Sequence, residues 1–181
     1  LVDWVVKMES DAVVFLDIGT GSGCIPLSIK KSIPNARVFG ADISEVALNI
    51  ARKNAEKLNL AVDFIELDIL TVTAPFEDKS LEVIVSNPPY IPVDDKKQMA
   101  ANVLDYEPDL ALFVPNESPL VFYEAIADYG VKNLVKDGRL YFEIHESFGV
   151  ETVAMLKQKG YQNIELQKDL QGKDRMIRAQ I

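Results

Sequence analysis

The chain has 181 residues, of which 48% are hydrophobic and 26% are charged. These values are typical of one globular domain and exclude a disordered or low-complexity chain. The formal net charge is −9. That charge disfavours a protein that grips a long nucleic-acid duplex, because such binding needs a basic face to neutralise phosphates.

Short β-rich apolar runs alternate with helical patterns along the sequence. We predict strands at residues 13–17, 36–42, 62–67, 81–86, 139–144, 163–168 and 176–181. Helices are predicted at residues 25–32, 120–134 and 147–159, and a further one after Ser44. The first residues, LVDWVV, indicate a helix that is cut at the start of the chain. The helix after Ser44 is expected to bury Ala47, Ile50, Ala51 and Leu58.

This alternation of apolar strands and helices predicts an α/β fold with a parallel sheet covered on both faces. Only residues 169–175 separate the last two strands. Because a parallel crossover needs a longer connection, this pair is expected to be an antiparallel hairpin. Ligands of such sheets bind beyond the carboxyl ends of the strands, so the chemistry is expected just after those ends.

A glycine-rich turn follows the first strand. It reads Asp17, Ile18, Gly19, Thr20, Gly21, Ser22, Gly23. Glycines allow a sharp turn and a close approach of the backbone to a ligand. The dinucleotide fingerprint has a glycine where Cys24 stands. The carboxylate of Asp17 would repel a pyrophosphate and would suit the cationic end of a ligand.

Two further acidic residues close the next strands. Asp42 lies 19 positions after Gly23, where a carboxylate can accept both hydroxyls of a ribose. Asp68 could accept from an exocyclic amine, and Ile43 and Ile69 could sandwich a flat base. With the glycine-rich turn, this set predicts S-adenosylmethionine (SAM) as the ligand. The alternative is an ordinary tight turn with solvated acids at the strand ends.

Asn87, Pro88, Pro89 and Tyr90 end the fourth strand. The two prolines stop a helix or a central strand and hold a rigid, extended turn. In such a turn the Asn87 amide oxygen and a backbone carbonyl can accept both hydrogens of a planar NH₂ group, while the Tyr90 ring covers it. Alignment and desolvation would then assist methyl transfer without a strong base. The alternative is a proline-rich strand exit with a capping asparagine.

The single cysteine and the single histidine exclude other chemistry. Cys24 allows no internal disulfide, and with only His145 a metal site is not expected. We expect Cys24 to be a small buried thiol and His145 to lie on the rim of the site. The single cysteine fits a reduced, cytoplasmic location. No apolar run reaches the length of a membrane span, so we expect no membrane association.

Four segments together resemble the release-factor glutamine methyltransferases (HemK/PrmC). They are residues 17–23, residues 87–90, Tyr106-Glu107-Pro108 with Ala111-Leu112, and Lys168-Asp169-Leu170 with Gly172, Asp174 and Arg175. The resemblance covers nearly the whole chain. It implies a Rossmann-like, seven-stranded class I SAM-dependent methyltransferase fold. It also implies methyl transfer to N5 of the glutamine in the Gly-Gly-Gln motif of peptide chain release factors, with S-adenosylhomocysteine as the second product.

The resemblance also implies roles for particular residues. Gly19 to Gly23, Asp42 and Ile69 would line the SAM site. Asn87 to Tyr90 would hold the glutamine, with Asn87 at the junction of the two sites. The family usually has a small helical domain before the catalytic one, which is missing here, so residues 1–181 are expected to be the catalytic domain alone. Ile69 stands where relatives often have an aromatic residue.

Other functions remain alternatives. A flipped adenine would offer Asn87 an equivalent NH₂ group, as in adenine-N6 methylation of nucleic acid. Acidic residues dominate the segment that should flank the substrate and disfavour nucleic acid; they are Asp94, Asp95, Asp105, Glu107, Asp109 and Glu117, against Lys96 and Lys97. A non-catalytic SAM-binding module would not need residues 87–90, and a NAD-dependent dehydrogenase conflicts with Asp17 and Cys24.

Overall fold

Seven strands form the central sheet of the computed structural model, which describes residues 1–71, 75–92, 94 and 113–181. In chain order the strands of this sheet are β1 (Val14–Ile18), β2 (Arg37–Asp42), β3 (Asp63–Glu66), β4 (Leu81–Ser86), β7 (Leu134–Glu143), β8 (Gln162–Lys168) and β9 (Asp174–Gln180). Two short strands, β5 (Ile91–Pro92) and β6 (Phe113–Val114), pair in parallel outside it. The sequence analysis did not predict this small second sheet.

The strand order is β3-β2-β1-β4-β7-β9-β8. The five strands from β3 to β7 run parallel, and β9 is antiparallel to both of its neighbours. The α/β fold and the C-terminal antiparallel hairpin predicted from the sequence are therefore confirmed. The carboxyl ends of β1, β2 and β4 lie side by side, which defines the edge where a ligand is expected.

Helices cover both faces of the sheet. They are α1 (Val2–Met8), α2 (Cys24–Ser32), α3 (Glu45–Leu58), α4 (Val121–Asn133) and α5 (Gly149–Gln158). Phe15 belongs to a core cluster with Val5 and Ile29, whereas its neighbour Leu16 belongs to a second cluster with Ile126 and Leu156. Since adjacent strand residues point to opposite faces, this split shows that the sheet is buried on both sides.

The buried face of α3 differs from the predicted one. Leu48, Ala51 and Ala55 are buried, whereas Ile50 and Leu58 are about half exposed. The helix is rotated so that Ala51 lies close to Gly23, where a Cβ atom would come within 3.1 Å of the alanine side chain. This close approach to the glycine-rich turn requires a small residue at position 51 of α3.

Gly40 in β2 is required by its neighbours. A Cβ atom there would lie 2.8 Å from the Phe64 ring and 2.9 Å from the Thr20 hydroxyl oxygen. We expect Gly40→Ala to lower the free energy of unfolding by about 1–3 kcal/mol, because it overpacks this contact. Urea unfolding measures the change. In the double variant with Phe64→Leu the loss should shrink, and an unchanged midpoint for Gly40→Ala alone would contradict the expectation.

Candidate active site

The glycine-rich turn is held against the end of β2. The backbone N–H groups of Gly19 and Thr20 both donate to the Ala41 carbonyl, at 2.8 and 2.9 Å. The Gly21 N–H donates to the Asp42 carboxylate at 2.8 Å. These hydrogen bonds bring the predicted turn and the predicted ribose-binding residue into direct contact.

Three positions of this turn have a backbone conformation that favours glycine. Gly19, Gly21 and Gly23 all have positive φ, at 74°, 54° and 84°, which side chains adopt at a cost. No atom lies within 4 Å of where a Cβ of Gly21 would be. The turn therefore leaves open space in front of its backbone, of the kind that a ligand can approach.

Asp17 is buried, and both of its carboxylate oxygens lack a hydrogen-bond partner among the described residues. The nearby Thr20 hydroxyl is also buried, and it lacks a close hydrogen-bond partner among the same residues. Burial raises the pKa of Asp17 to about 8; the Thr20 hydroxyl opposes this rise, and the negative charge of Asp42 adds to it. A buried carboxyl without a donor is costly, so it is suited to a cationic or hydrogen-bond-donating ligand group.

Asp42 is half-buried and already accepts two backbone hydrogen bonds, from Gly21 and, at 2.9 Å, from Ser44. Each carboxylate oxygen has a second lone pair, so the group can still accept two hydroxyls. Ile43 follows it and is 54% exposed. The exposed Ile43 side chain is thus available to a ligand at the end of β2.

Asp68 lies two residues beyond β3. Its carboxylate accepts from the Leu70 N–H at 3.0 Å and from the Thr71 hydroxyl at 2.9 Å, so it closes its own turn. Ile69 is half-buried and packs against the core. The Leu67 N–H donates to the Asp42 carbonyl, which places this turn next to the end of β2.

Asn87 lies beside the glycine-rich turn and is exposed. The buried Ser86 hydroxyl donates to the Ile18 carbonyl at 2.6 Å, which joins the ends of β4 and β1. A Cβ atom on Gly19 would be 3.9 Å from the Asn87 carbonyl oxygen. The structure therefore brings the two main sequence motifs together at one edge of the sheet.

Tyr90 faces the end of β7 rather than the turn itself. Its hydroxyl donates to the Glu143 carboxylate at 3.4 Å, and its ring lies 6.0 Å from that of His145. Pro88 is buried, and Pro89 and Tyr90 are half-buried. Burial and the charge of Glu143 raise the pKa of Tyr90, and the Arg175 cation opposes this rise.

No role for Glu143 or Arg175 was predicted from the sequence. Arg175 is part of the C-terminal motif, and only that motif could have indicated that it belongs to the site. The expected rim position of His145 agrees with its half-buried ring beside Tyr90 and Phe148. The expectation of a buried Cys24 was wrong: the thiol is exposed at the start of α2, beside the Ser22 hydroxyl.

Some predicted features lie outside the described residues. These are Tyr106, Glu107, Pro108, Ala111 and Leu112, and most of the acidic segment between residues 94 and 117. In the part of the chain that the structure describes, no three His, Cys, Asp or Glu side chains cluster as metal ligands. Within the same ranges, no helix combines the length and apolarity that a membrane-spanning segment requires.

Two surface cavities lie away from this edge of the sheet. One, of about 440 Å³, is lined by residues 6, 10–13 and 32–36, which precede β1 and β2. It is therefore at the opposite ends of these strands. The other, of about 260 Å³, is lined by residues 117–121, 124, 148 and 151. Neither includes the glycine-rich turn or residues 87–90.

A family model described as a methyltransferase domain matches residues 9–143, and the chain belongs to this family. Solved structures agree on the fold. A methyltransferase from Pyrococcus furiosus aligns with a TM-score of 0.71 at 15% identity, over 98% of this chain and 80% of that one. TrmN from Thermus thermophilus aligns with a TM-score of 0.68 at 19% identity, over 99% of this chain and 48% of that one.

The names of the curated relatives define a narrower class of methyltransferase than the family model does. The chain is 48% identical to the release factor glutamine methyltransferase of Bacteroides thetaiotaomicron, over 99% of this chain and 64% of that protein. It is 44% identical to the release factor glutamine methyltransferase of Flavobacterium psychrophilum, with the same coverage. The resemblance seen in the sequence is thus confirmed. The chain spans slightly less than two thirds of the length of these relatives.

The buried Asp17 predicts a pH dependence of stability. Its pKa rises from 3.8 to about 8 on folding. Between these values the folded protein holds a proton that the unfolded chain releases. Stability therefore falls as the pH rises, by up to about 1.4 kcal/mol per pH unit. Urea unfolding of the wild type and of Asp17→Asn at pH 5 and pH 8 measures this.

The wild type should lose more stability than Asp17→Asn between pH 5 and pH 8, because the amide does not titrate. Other groups titrate equally in both proteins and cancel in the comparison. Parallel losses in the two proteins would show that Asp17 is ionised in the fold.

Proposed function

We propose that this chain is the catalytic domain, residues 1–181, of a SAM-dependent protein-glutamine methyltransferase. Its acceptor would be N5 of the glutamine in the Gly-Gly-Gln motif of peptide chain release factors. One observation supports this proposal: the Asn87 backbone lies next to Gly19, so the glycine-rich turn is beside a motif suited to hold an amide. A release-factor substrate would place the reaction in the cytoplasm.

The residues at the end of β1 and β2 fit SAM. The buried carboxyl of Asp17 suits the amino group of the methionine part, and the open space in front of Gly21 leaves room for the ligand. The spare lone pairs of Asp42 suit the ribose hydroxyls. Asp68, Ile43 and Ile69 would bind the adenine. When bound, SAM supplies an electrophilic methyl group on its sulfonium centre.

The segment from Asn87 to Tyr90 would hold the acceptor. The Asn87 side-chain oxygen and a backbone carbonyl accept the two hydrogens of the glutamine amide, which leaves its nitrogen directed toward Gly19. Two prolines hold this segment in one conformation, so little entropy is lost on binding. Tyr90 covers the plane of the amide. Alignment and exclusion of water then assist transfer of the methyl group.

No general base is required before transfer. An amide nitrogen that has gained a methyl group carries positive charge and becomes acidic, so it loses its proton readily. Glu143 and His145 contact the Tyr90 hydroxyl and ring, and the proposed transfer needs neither of them as a base. We therefore propose that the chain positions the glutamine amide and does not abstract a proton from it before transfer.

The protein substrate is inferred from the relatives. Two proteins that are 48% and 44% identical to this chain over 99% of its length are named release factor glutamine methyltransferases. The net charge of −9 also favours a protein substrate over nucleic acid. Adenine-N6 methylation would use the same residues to hold an NH₂ group, and the labelling experiment with DNA tests for it.

Asp42→Ala should weaken SAM binding at least about tenfold, because it removes charge-assisted hydrogen bonds to the ribose and an acceptor of the glycine-rich turn. Calorimetry with SAM measures this. Glu45→Ala is the matched control: it removes an exposed carboxylate one turn away that pairs with Arg52. Equal affinities of Asp42→Ala and wild type would remove Asp42 from the site.

Asn87→Ala should abolish methyl transfer while leaving the fold and SAM binding largely intact, because its side chain is exposed and its proposed role is to hold the acceptor. Labelled SAM is offered with a purified release factor and, in parallel, with an adenine-containing DNA duplex. Label on the Gly-Gly-Gln glutamine that is lost in the variant supports the proposal. Label on DNA alone would replace it with adenine methylation, and normal turnover by Asn87→Ala would reject the clamp.

A further inference from the structure

The turn between β8 and β9 is organised around the Asp169 carboxylate. One oxygen accepts from the N–H groups of Gln171 and Lys173, at 2.9 and 3.0 Å. The Asp169 N–H donates to the Lys173 carbonyl at 2.8 Å. This set of bonds gives the turn one defined shape, in which the second carboxylate oxygen remains available to a partner outside the turn.

Arg175 is that partner, and it also binds the end of β7. Its Nε lies 3.3 Å from the second oxygen of Asp169, and its Nη1 donates to the Ile144 carbonyl at 3.3 Å. The Ile144 N–H donates in return to the Arg175 carbonyl at 2.9 Å. Arg175 thus clamps Ile144 through both backbone and side chain, and only 26% of its side chain is exposed.

The residue before Ile144 contacts the acceptor segment. The Glu143 carboxylate accepts the Tyr90 hydroxyl at 3.4 Å. The Glu143 backbone is held as well, because the buried Tyr123 hydroxyl donates to its carbonyl at 3.2 Å. A continuous path of contacts therefore runs from Asp169 through Arg175 and the end of β7 to Tyr90.

We propose that Arg175, held by Asp169, is a positioning residue for Tyr90. It fixes the end of β7, where the Glu143 carboxylate accepts the Tyr90 hydroxyl. In this way it sets where the acceptor amide lies. This inference rests on the proposed function for its effect on catalysis. Its structural part, the control of Tyr90 by the C-terminal hairpin, does not.

The kinetic test compares Arg175→Gln with Lys173→Gln. Lys173 lies in the same turn and pairs with Glu146 at 2.6 Å, as Arg175 does at 3.6 Å, yet has no contact with Glu143 or Tyr90 among those described. It is therefore the matched control for loss of the Glu146 ion pair. Arg175→Gln should lower kcat/KM for the release factor by about tenfold or more, since small misplacements of a reacting group are costly. Its affinity for SAM should stay unchanged, and Lys173→Gln should behave as wild type.

A double-mutant cycle separates positioning from general loss of stability. If Arg175 acts through Tyr90, the substitution Arg175→Gln should have much less effect in a Tyr90→Phe background. Asp169→Asn is the second variant, because it retains the oxygen that accepts from the turn while weakening the bond to Arg175. It should reproduce the Arg175→Gln defect more mildly, with a thermal midpoint close to that of wild type.

A spectroscopic readout makes the test independent of activity. The chain is labelled with 3-fluorotyrosine, and the Tyr90 fluorine signal is assigned by its loss in Tyr90→Phe. We expect this signal to shift or broaden in Arg175→Gln and in Asp169→Asn and to stay unchanged in Lys173→Gln. A Tyr90 signal unmoved in both variants overturns the proposal, whatever the activity. A moved signal in a protein that does not methylate release factor supports it and rejects the proposed function instead.

Discussion

The site depends on how the ends of β1 and β4 meet. The buried Ser86 hydroxyl binds the Ile18 carbonyl at 2.6 Å, and the parallel register of the two strands makes these residues neighbours. Both strands then leave the sheet at the same edge. β1 continues as the glycine-rich turn, and β4 continues as the segment that begins at Asn87. Because transfer of a group between two ligands requires their reacting atoms to be adjacent, this junction is the constraint on which the proposed chemistry rests.

Electrostatics divide the site into two unlike halves. At the turn, burial raises the pKa of Asp17 to about 8, so the fold loses stability at a group that a cationic ligand can satisfy. At Tyr90, the charged groups are already matched, with Arg175 bridging the hairpin turn and the end of β7. In the proposed function, the first half would bind the charged end of a ligand and the second would hold a neutral amide.

Much of this was accessible from the sequence. The strand and helix alternation predicts the parallel sheet, and the seven-residue gap before the last strand predicts the antiparallel hairpin. The motifs at residues 17–23 and 87–90 stand where strands end, so their meeting at one edge follows from the sheet topology. The buried face of α3 was predicted wrongly in part: Ala51 is buried as expected, but Leu48 and Ala55 are buried in place of Ile50 and Leu58, because packing decides how the helix is rotated.

The sequence by itself determined the class of fold, the residues at the strand ends and the family resemblance, because these follow from local periodicity and from short motifs. Only the tertiary structure decided that Asp17 is buried, that Cys24 is exposed and that Arg175 reaches the strand end beside Tyr90. Burial and charge pairing depend on segments far apart in the chain, such as Tyr90, Glu143 and Arg175. Their neighbours are set by packing, which no local pattern encodes.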